Sequence, residues 1–283
     1  MILICFSEYF SLQTIPAGSQ VYDSYGQKCN HRFLLNYGFA IEDNTEIDGY
    51  SPNEVAIEMS PASLDLLSDQ VDCVQSTALQ LSKMDFWCRD NPTSATLPAE
   101  AVSITSSGEI DFSKIFERRA CQKRIRVSVS NNENTRAMMS MLRVIVANED
   151  ELSTITCGGL YMYRTCKDVR FAISLRNEKA ALMLLLNLVE DALSKYPTTL
   201  EEDNIALLSR ENLPPFSNKR NSTIQVRGEK EVLHHYKNLA GIALSVIDLP
   251  NEEFESSIQV SYARFSFMFV TLLSKFTDLF LNA

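Results

Sequence analysis

The sequence predicts an α+β chain in which a short strand-and-turn region precedes a mostly α-helical one. Two observations carry this. Residues 18–39, GSQVYDSYGQKCNHRFLLNYGF, mix an extended stretch, glycine breaks and one short helix. Beyond residue 60 the apolar residues recur at helical spacing, and AALMLLLNLVEDAL is apolar almost all round, as expected of a central bundle helix. A length of 283 residues with 45% hydrophobic content permits one large domain or two modest ones. The boundary is placed between residues 1–50 and 51–283.

In order along the chain, Ile15-Pro16-Ala17-Gly18 is a turn, because Pro fixes φ and Gly admits a positive one. Val21, Asp23 and Tyr25 then fall on one face of a strand, with Tyr22, read as structural, and Ser24 on the other. Gly26 redirects the backbone and presents the Tyr25 hydroxyl at a strand end. Asn30 is the expected cap of a short helix with Phe33, Leu34 and Tyr37 on one face, which Gly38 ends. Asp43-Asn44, Asp48-Gly49 and Pro52-Asn53 signal turns, and residues 55–59 a strand. Residues 61–90 are helical in pattern, and 91–108 read as a loop. Lys114, Arg118, Arg119, Lys123, Arg124 and Arg126 form a dense basic run. A solvated helix or strand face is its first reading and a substrate-facing or nuclear-import patch its second. One helix is expected over 135–152 and another over 177–196, stopped by Pro197. Thr199 and Glu202 have capping-box spacing. Residues 209–222 read as a loop, 224–246 as a long helix, and 251 to the end as a last one.

Composition excludes several classes. A formal charge of −10 and a pI of about 4.9 argue against nonspecific nucleic-acid binding, while an acidic surface suits a lysine-rich protein partner. The seven cysteines contain no CxxC pair, which points to reduced thiols in a cytoplasmic or nuclear protein, with no metal site. His234 and His235 point to different helix faces without ligand partners, and His31 reads as a solvent-facing polar residue. Residues 1–10 are too short to span a bilayer, and Lys275 and Asp278 interrupt the apolar 265–281.

The order Val21-Tyr22-Asp23-Ser24-Tyr25-Gly26, Cys29-Asn30, Phe33-Leu34-Leu35 and Tyr37-Gly38-Phe39 resembles the C-terminal end of a SET domain. The branch it resembles includes the RuBisCO large-subunit lysine methyltransferase and the actin-histidine methyltransferase. Leu142-Arg143-Val144 with Asn148 to Leu152, Tyr196 to Asp203, and Gly228 to Glu231 resemble the helical substrate-binding domain of the same branch. The resemblance implies the remnant of a β-rich SET domain in 1–50, N-terminally truncated, and a substrate-binding domain in 51–283. The family's Asn-His segment, which helps hold S-adenosylmethionine, would lie upstream, so this chain alone is expected to be inactive.

The activity implied is S-adenosylmethionine-dependent lysine N-methylation of a protein substrate by a monomeric enzyme. Methylation of histidine and a non-catalytic protein-binding module are the alternatives. Such a displacement needs atoms aligned, water stripped from the amine, and a cation sheltered by aromatic faces. By resemblance Tyr25 is the catalytic tyrosine at the methyl-transfer point. Tyr37 lines the lysine channel or the cofactor edge, and Asn30 and Phe39 support that pocket. Without the family pattern, Tyr25 and Tyr37 read as half-buried aromatics with their hydroxyls satisfied at a surface.

Overall fold

Four helices of this chain begin where a short polar side chain takes over a backbone N–H that the first turn leaves unpaired. Ser174 accepts from the Asn177 N–H, Ser217 from Arg220, and Thr199 from Glu202 in a complete capping box. Asn148 and Glu151 make the fourth cap, a reciprocal pair like that of Thr199 and Glu202, each side chain accepting the other's N–H at 2.9 Å. The computed structural model describes residues 14–21, 24–47, 49–67, 77–88, 103–104, 110–111, 122–129, 132–157, 165–247 and 249.

The elements are α1 (Asn30–Tyr37), β1 (Glu54–Met59), a 3-10 helix (Pro61–Leu67), α2 (Thr77–Cys88), and the two-residue strands β2 (Ser103–Ile104) and β3 (Ile110–Asp111). There follow β4 (Lys123–Ser128), α3 (Asn132–Val146), α4 (Glu149–Cys157), α5 (Leu175–Ser194), α6 (Leu200–Leu208) and α7 (Asn218–Val246). Strands β1 and β4 pair antiparallel, Val55 opposite Val127 and Ile57 opposite Ile125. Val55, Ile57 and Met59, with Ile125 and Val127, are buried, so the sheet turns an apolar face inward. The core forms where that face meets α3, α5 and α7, through Leu142, Ile145, Leu184, Val189, Leu233 and Ala240. Each such leucine, isoleucine or valine contributes about 1.5–3 kcal/mol by leaving water. Tyr236 ties three elements together. Its hydroxyl donates to the Ser128 carbonyl at 3.0 Å and lies 2.5 Å from Thr135 Oγ1, and burial pushes the phenol up to about 12.

The α+β expectation is met, mostly helical with a small sheet, but the strands are not where the sequence placed them. Among the described residues of 1–50 there is one helix and no strand. Val21, Ser24 and Tyr25 are irregular, since no described strand lies alongside to complete a ladder, while Tyr22 and Asp23 lie outside the described residues. The turn at Pro16 is present, closed by the Ser19 N–H donating to the Pro16 carbonyl, with Gly18 at φ 83°. Asn30 is the first helical residue rather than the cap; extended Cys29 precedes it. Gly38 does end α1, at φ 78°. The helix expected over 135–152 is two, because the capping pair of Asn148 and Glu151 starts α4 afresh. Helix α7 begins at Asn218, inside the stretch read as a loop, because Ser217 caps it. Ser103 and Ile104, also expected in a loop, pair with Asp111 and Ile110. The described part of the basic run, Lys123 to Arg126, is strand; Lys114, Arg118 and Arg119 lie outside the described residues, as do 1–10 and the last helix from 251.

Candidate functional site

Helix α1 and the segment that follows it gather four aromatic rings. Phe33 is buried, and Phe39 stacks on it with centroids 5.2 Å apart and planes inclined by 26°. Tyr25 reaches over them, 4.7 Å from Tyr37, 5.6 Å from Phe39 and 6.3 Å from Phe33. Tyr25 is 54% exposed and Tyr37 45%, and neither hydroxyl has a partner among the described residues. The three tyrosine and phenylalanine positions expected at the pocket, Tyr25, Tyr37 and Phe39, are therefore together, on a platform that Phe33 supports from below. Aromatic faces disposed in this way attract a cation by about 0.5–2 kcal/mol each.

Asn30 lies under the platform and is buried. Its amide donates to the Ile41 carbonyl at 2.9 Å while its oxygen accepts the Ile41 N–H at 2.8 Å. This two-way pairing fixes the chain just past Phe39, so Asn30 shapes the platform without lining it. Asn53 extends the lattice. Its Oδ1 accepts the Asn30 N–H at 3.0 Å and the Asn44 amide at 3.3 Å, and Asn44 also donates to the Lys28 carbonyl. Cys29 is buried beside them as a free thiol.

Helix α7 carries the whole assembly. Asn221 donates to the Gly38 carbonyl at 3.2 Å and accepts the Ala40 N–H at 3.3 Å. Arg220 pairs with Glu42 at 2.6 Å, and Arg227 donates to the Glu42 carbonyl. Gly228 faces Asn53 so closely that a Cβ there would meet Asn53 Nδ2 at 2.6 Å. Composition and periodicity missed Asn53, Asn221, Arg220 and Arg227. The one signal was a glycine inside a helical pattern, which marks a close approach.

Among the helices, the residues that carried the helical resemblance hold buried ion pairs. Arg143 makes a bidentate pair with Glu178 at 2.6 and 2.7 Å and donates to the Val169 carbonyl. Lys230 meets Asp203 at 2.5 Å and Thr198 at 2.8 Å, with its ammonium over the Tyr196 ring. Burial raises the Tyr196 phenol well above its usual range, helped by Glu229, whose carboxylate accepts its proton at 2.9 Å. Burial lowers the His234 and His235 imidazoles, with Lys237 and Lys230 adding to the effect at His234. His31 is half-buried beside Arg126, 3.5 Å away. Among the described residues no group of three His, Cys, Asp or Glu side chains is placed to hold a metal ion, and no helix is long and apolar enough to cross a membrane.

Residues 79–233 match the family described as Rubisco LSMT substrate-binding. The chain is 25% identical over 229 residues to the actin-histidine N-methyltransferases of Mus musculus and Rattus norvegicus, an alignment spanning 80% of this chain and 30% of theirs. It thus spans about a third of the length of the curated relatives it matches. Among solved structures, the SET domain of LSMT, bound to lysine and AdoHcy, superposes with a TM-score of 0.50 at 17% identity, covering 87% of this chain and 45% of that one. At that identity the likeness speaks for the fold.

Proposed function

The chain belongs to the Rubisco LSMT substrate-binding family, and on that premise we propose that it serves an S-adenosylmethionine-dependent protein-lysine N-methyltransferase. In this reading residues up to about 50 are the C-terminal end of the SET domain, and the rest holds the protein substrate. The observation that supports it is the seating of the aromatic platform on α7, through Asn221, Arg227 and Gly228, all inside the matched region.

S-adenosylmethionine supplies an electrophilic methyl group on a sulfonium cation. The platform residues fit a cationic guest of this kind, since the Tyr25 and Tyr37 rings are half open to solvent and their hydroxyls have no partner among the described residues. Tyr37 would border the cofactor, with Asn30 and Phe39 holding that border in shape. Tyr25 would orient the substrate amine through its phenol oxygen. The remaining rings would exclude water from the amine's approach. Holding reactants in this way supplies several kcal/mol of the barrier. A second reading, methyl transfer to a histidine, is favoured by the activity of the matched relatives from mouse and rat.

The test uses the complete protein as its transcript encodes it, with S-adenosylmethionine carrying a labelled methyl group. Peptide arrays displaying lysine or histidine are the acceptors, and mass spectrometry locates the modified residue. Tyr25→Phe should lower the transfer rate by a factor of about 10² or more, while calorimetry finds cofactor affinity within about threefold of the parent, since the ring that faces a cation is kept. Equal losses in rate and affinity would refute the role of Tyr25. Label on histidine alone would replace the lysine reading with the second one.

A further inference from the structure

A cleft of about 840 Å³ opens between β4, the first turns of α3 and residues 165–170, and its Arg126 stands 3.5 Å from His31 of α1. Its size lies in the range of sites that take a ligand or a short peptide. Its charge runs against that of the whole chain, whose formal charge is −10. Arg124 and Arg126 of β4, Arg136 of α3, and Lys167 and Arg170 of the following loop all line it. Two acids share the lining. Asp168 is already engaged, its Oδ2 accepting the Thr165 N–H and hydroxyl at 3.0 Å, and Glu133 stands at the N-terminal turn of α3. Arg136, Lys167 and Arg170 are exposed and pair with no acid among the described residues. The ion pair that Arg124 forms with Glu58 at 3.6 Å is more than half exposed on both sides and holds it weakly. Three cations gathered without an acid partner among the described residues make a surface suited to an anionic guest.

Four consecutive residues of β4, Lys123 to Arg126, line the cleft. Successive strand residues point to opposite faces, so a cleft lined by all four runs along the strand's edge rather than over one face. That shape suits an extended polypeptide better than a compact ion, and a fork of guanidinium groups matches carboxylates in bidentate fashion. We propose that this cleft binds an acidic, extended segment of a protein partner. Resting on the reading that the chain holds a protein substrate, it names the chemistry of one part of that substrate, away from the residue to be modified. Nucleic acid has the right charge but meets a chain that repels it elsewhere.

Fluorescence anisotropy tests this with a labelled ten-residue peptide of alternating Glu and Ser, against the same peptide with Gln for Glu and a ten-nucleotide single strand. The Glu peptide should bind at least about tenfold more tightly than the Gln peptide, and raising salt from 0.05 to 0.5 M should weaken it severalfold as the Debye length shortens. Arg136→Glu with Arg170→Glu should cut affinity by a factor of about ten, each exposed reversal acting through an ordinary surface pair. Lys219→Glu with Arg210→Glu, an equal charge change outside the cleft, should cut it by less than about threefold. An unchanged circular-dichroism melt certifies folding, and Lys167→Glu is the substitute if the double variant fails it. Equal binding of the Gln peptide, equal losses from Lys219→Glu with Arg210→Glu, or tighter binding of the oligonucleotide would each overturn the proposal. None of these touches Tyr25, so failure here is distinguishable from failure of the methyl-transfer reading.

Discussion

Replacing Gly228 by alanine sets two effects of opposite sign against each other. Alanine is the better helix former by about 1 kcal/mol in a helix interior. The new methyl would lie 2.6 Å from Asn53 Nδ2 and 3.0 Å from its Cγ, distances that a real Cβ does not tolerate. Asn53 is buried, and its Oδ1 holds the Asn30 N–H and the Asn44 amide. Moving it therefore breaks two hydrogen bonds, about 1 kcal/mol each, and strands a buried N–H at a further 1–3 kcal/mol. The net expectation is a loss of about 2–4 kcal/mol. Gly241, on the same helix, has nothing within 4 Å of its would-be Cβ, so Gly241→Ala should instead stabilise by about 0.5–1 kcal/mol. Urea titration followed by far-UV circular dichroism reads both variants, and Asn53→Ala in the Gly228→Ala background should relieve the clash. If Gly228→Ala proved as stabilising as Gly241→Ala, the close seating of the asparagine lattice on α7 would be wrong.

Two further outcomes follow from the buried charges. Lys230→Met leaves Asp203 buried without its cation and should cost about 3–5 kcal/mol, whereas adding Asp203→Leu should recover much of that; urea midpoints of the single and double variants decide it. At Glu151 burial raises the carboxyl, but hydrogen bonds from Arg176, Ser174 and the Asn148 N–H outweigh it and hold the group at about 2, against an ordinary value of 4.5. A carboxylate lowered in the folded state stabilises above the unfolded value and loses that contribution as pH falls. Stability should drop by up to about 3 kcal/mol between pH 4.5 and 2. Glu151→Gln should flatten that limb, and an unchanged acid slope would refute the assignment.

The helices were legible because burial imposes a period that survives in the chain: Met138, Met141, Leu142, Ile145 and Val146 recur at helical spacing and are all buried. Local capping chemistry was legible at Thr199 and Glu202, but the same chemistry at Asn148 and Glu151 was overlooked beneath an unbroken apolar period, and two helices were read as one. Tyr25, Tyr37 and Phe39 were singled out by family pattern, and Phe33 by helical spacing. What no local rule contains is where Asn53 and Asn221 send their amides, since their partners lie 23 and about 180 residues away. The basic cleft was hidden for the same reason. Arg124 and Arg126 stood out as a run, while Arg136, Lys167 and Arg170 are unremarkable until the fold collects them.

Helix α7 touches the aromatic end of the molecule through Asn221 and the strand end through Tyr236, which makes it a gauge of fixed length between them. At 1.5 Å of rise per residue the two anchor points stand ~22 Å apart along the axis. One residue inserted between them would lengthen that span by only ~1.5 Å but swing the far anchor by ~100°. Tyr236 would then face away from Ser128. Spacing and orientation are locked into a single number of residues, so the separation of the two ends can be altered only in whole turns.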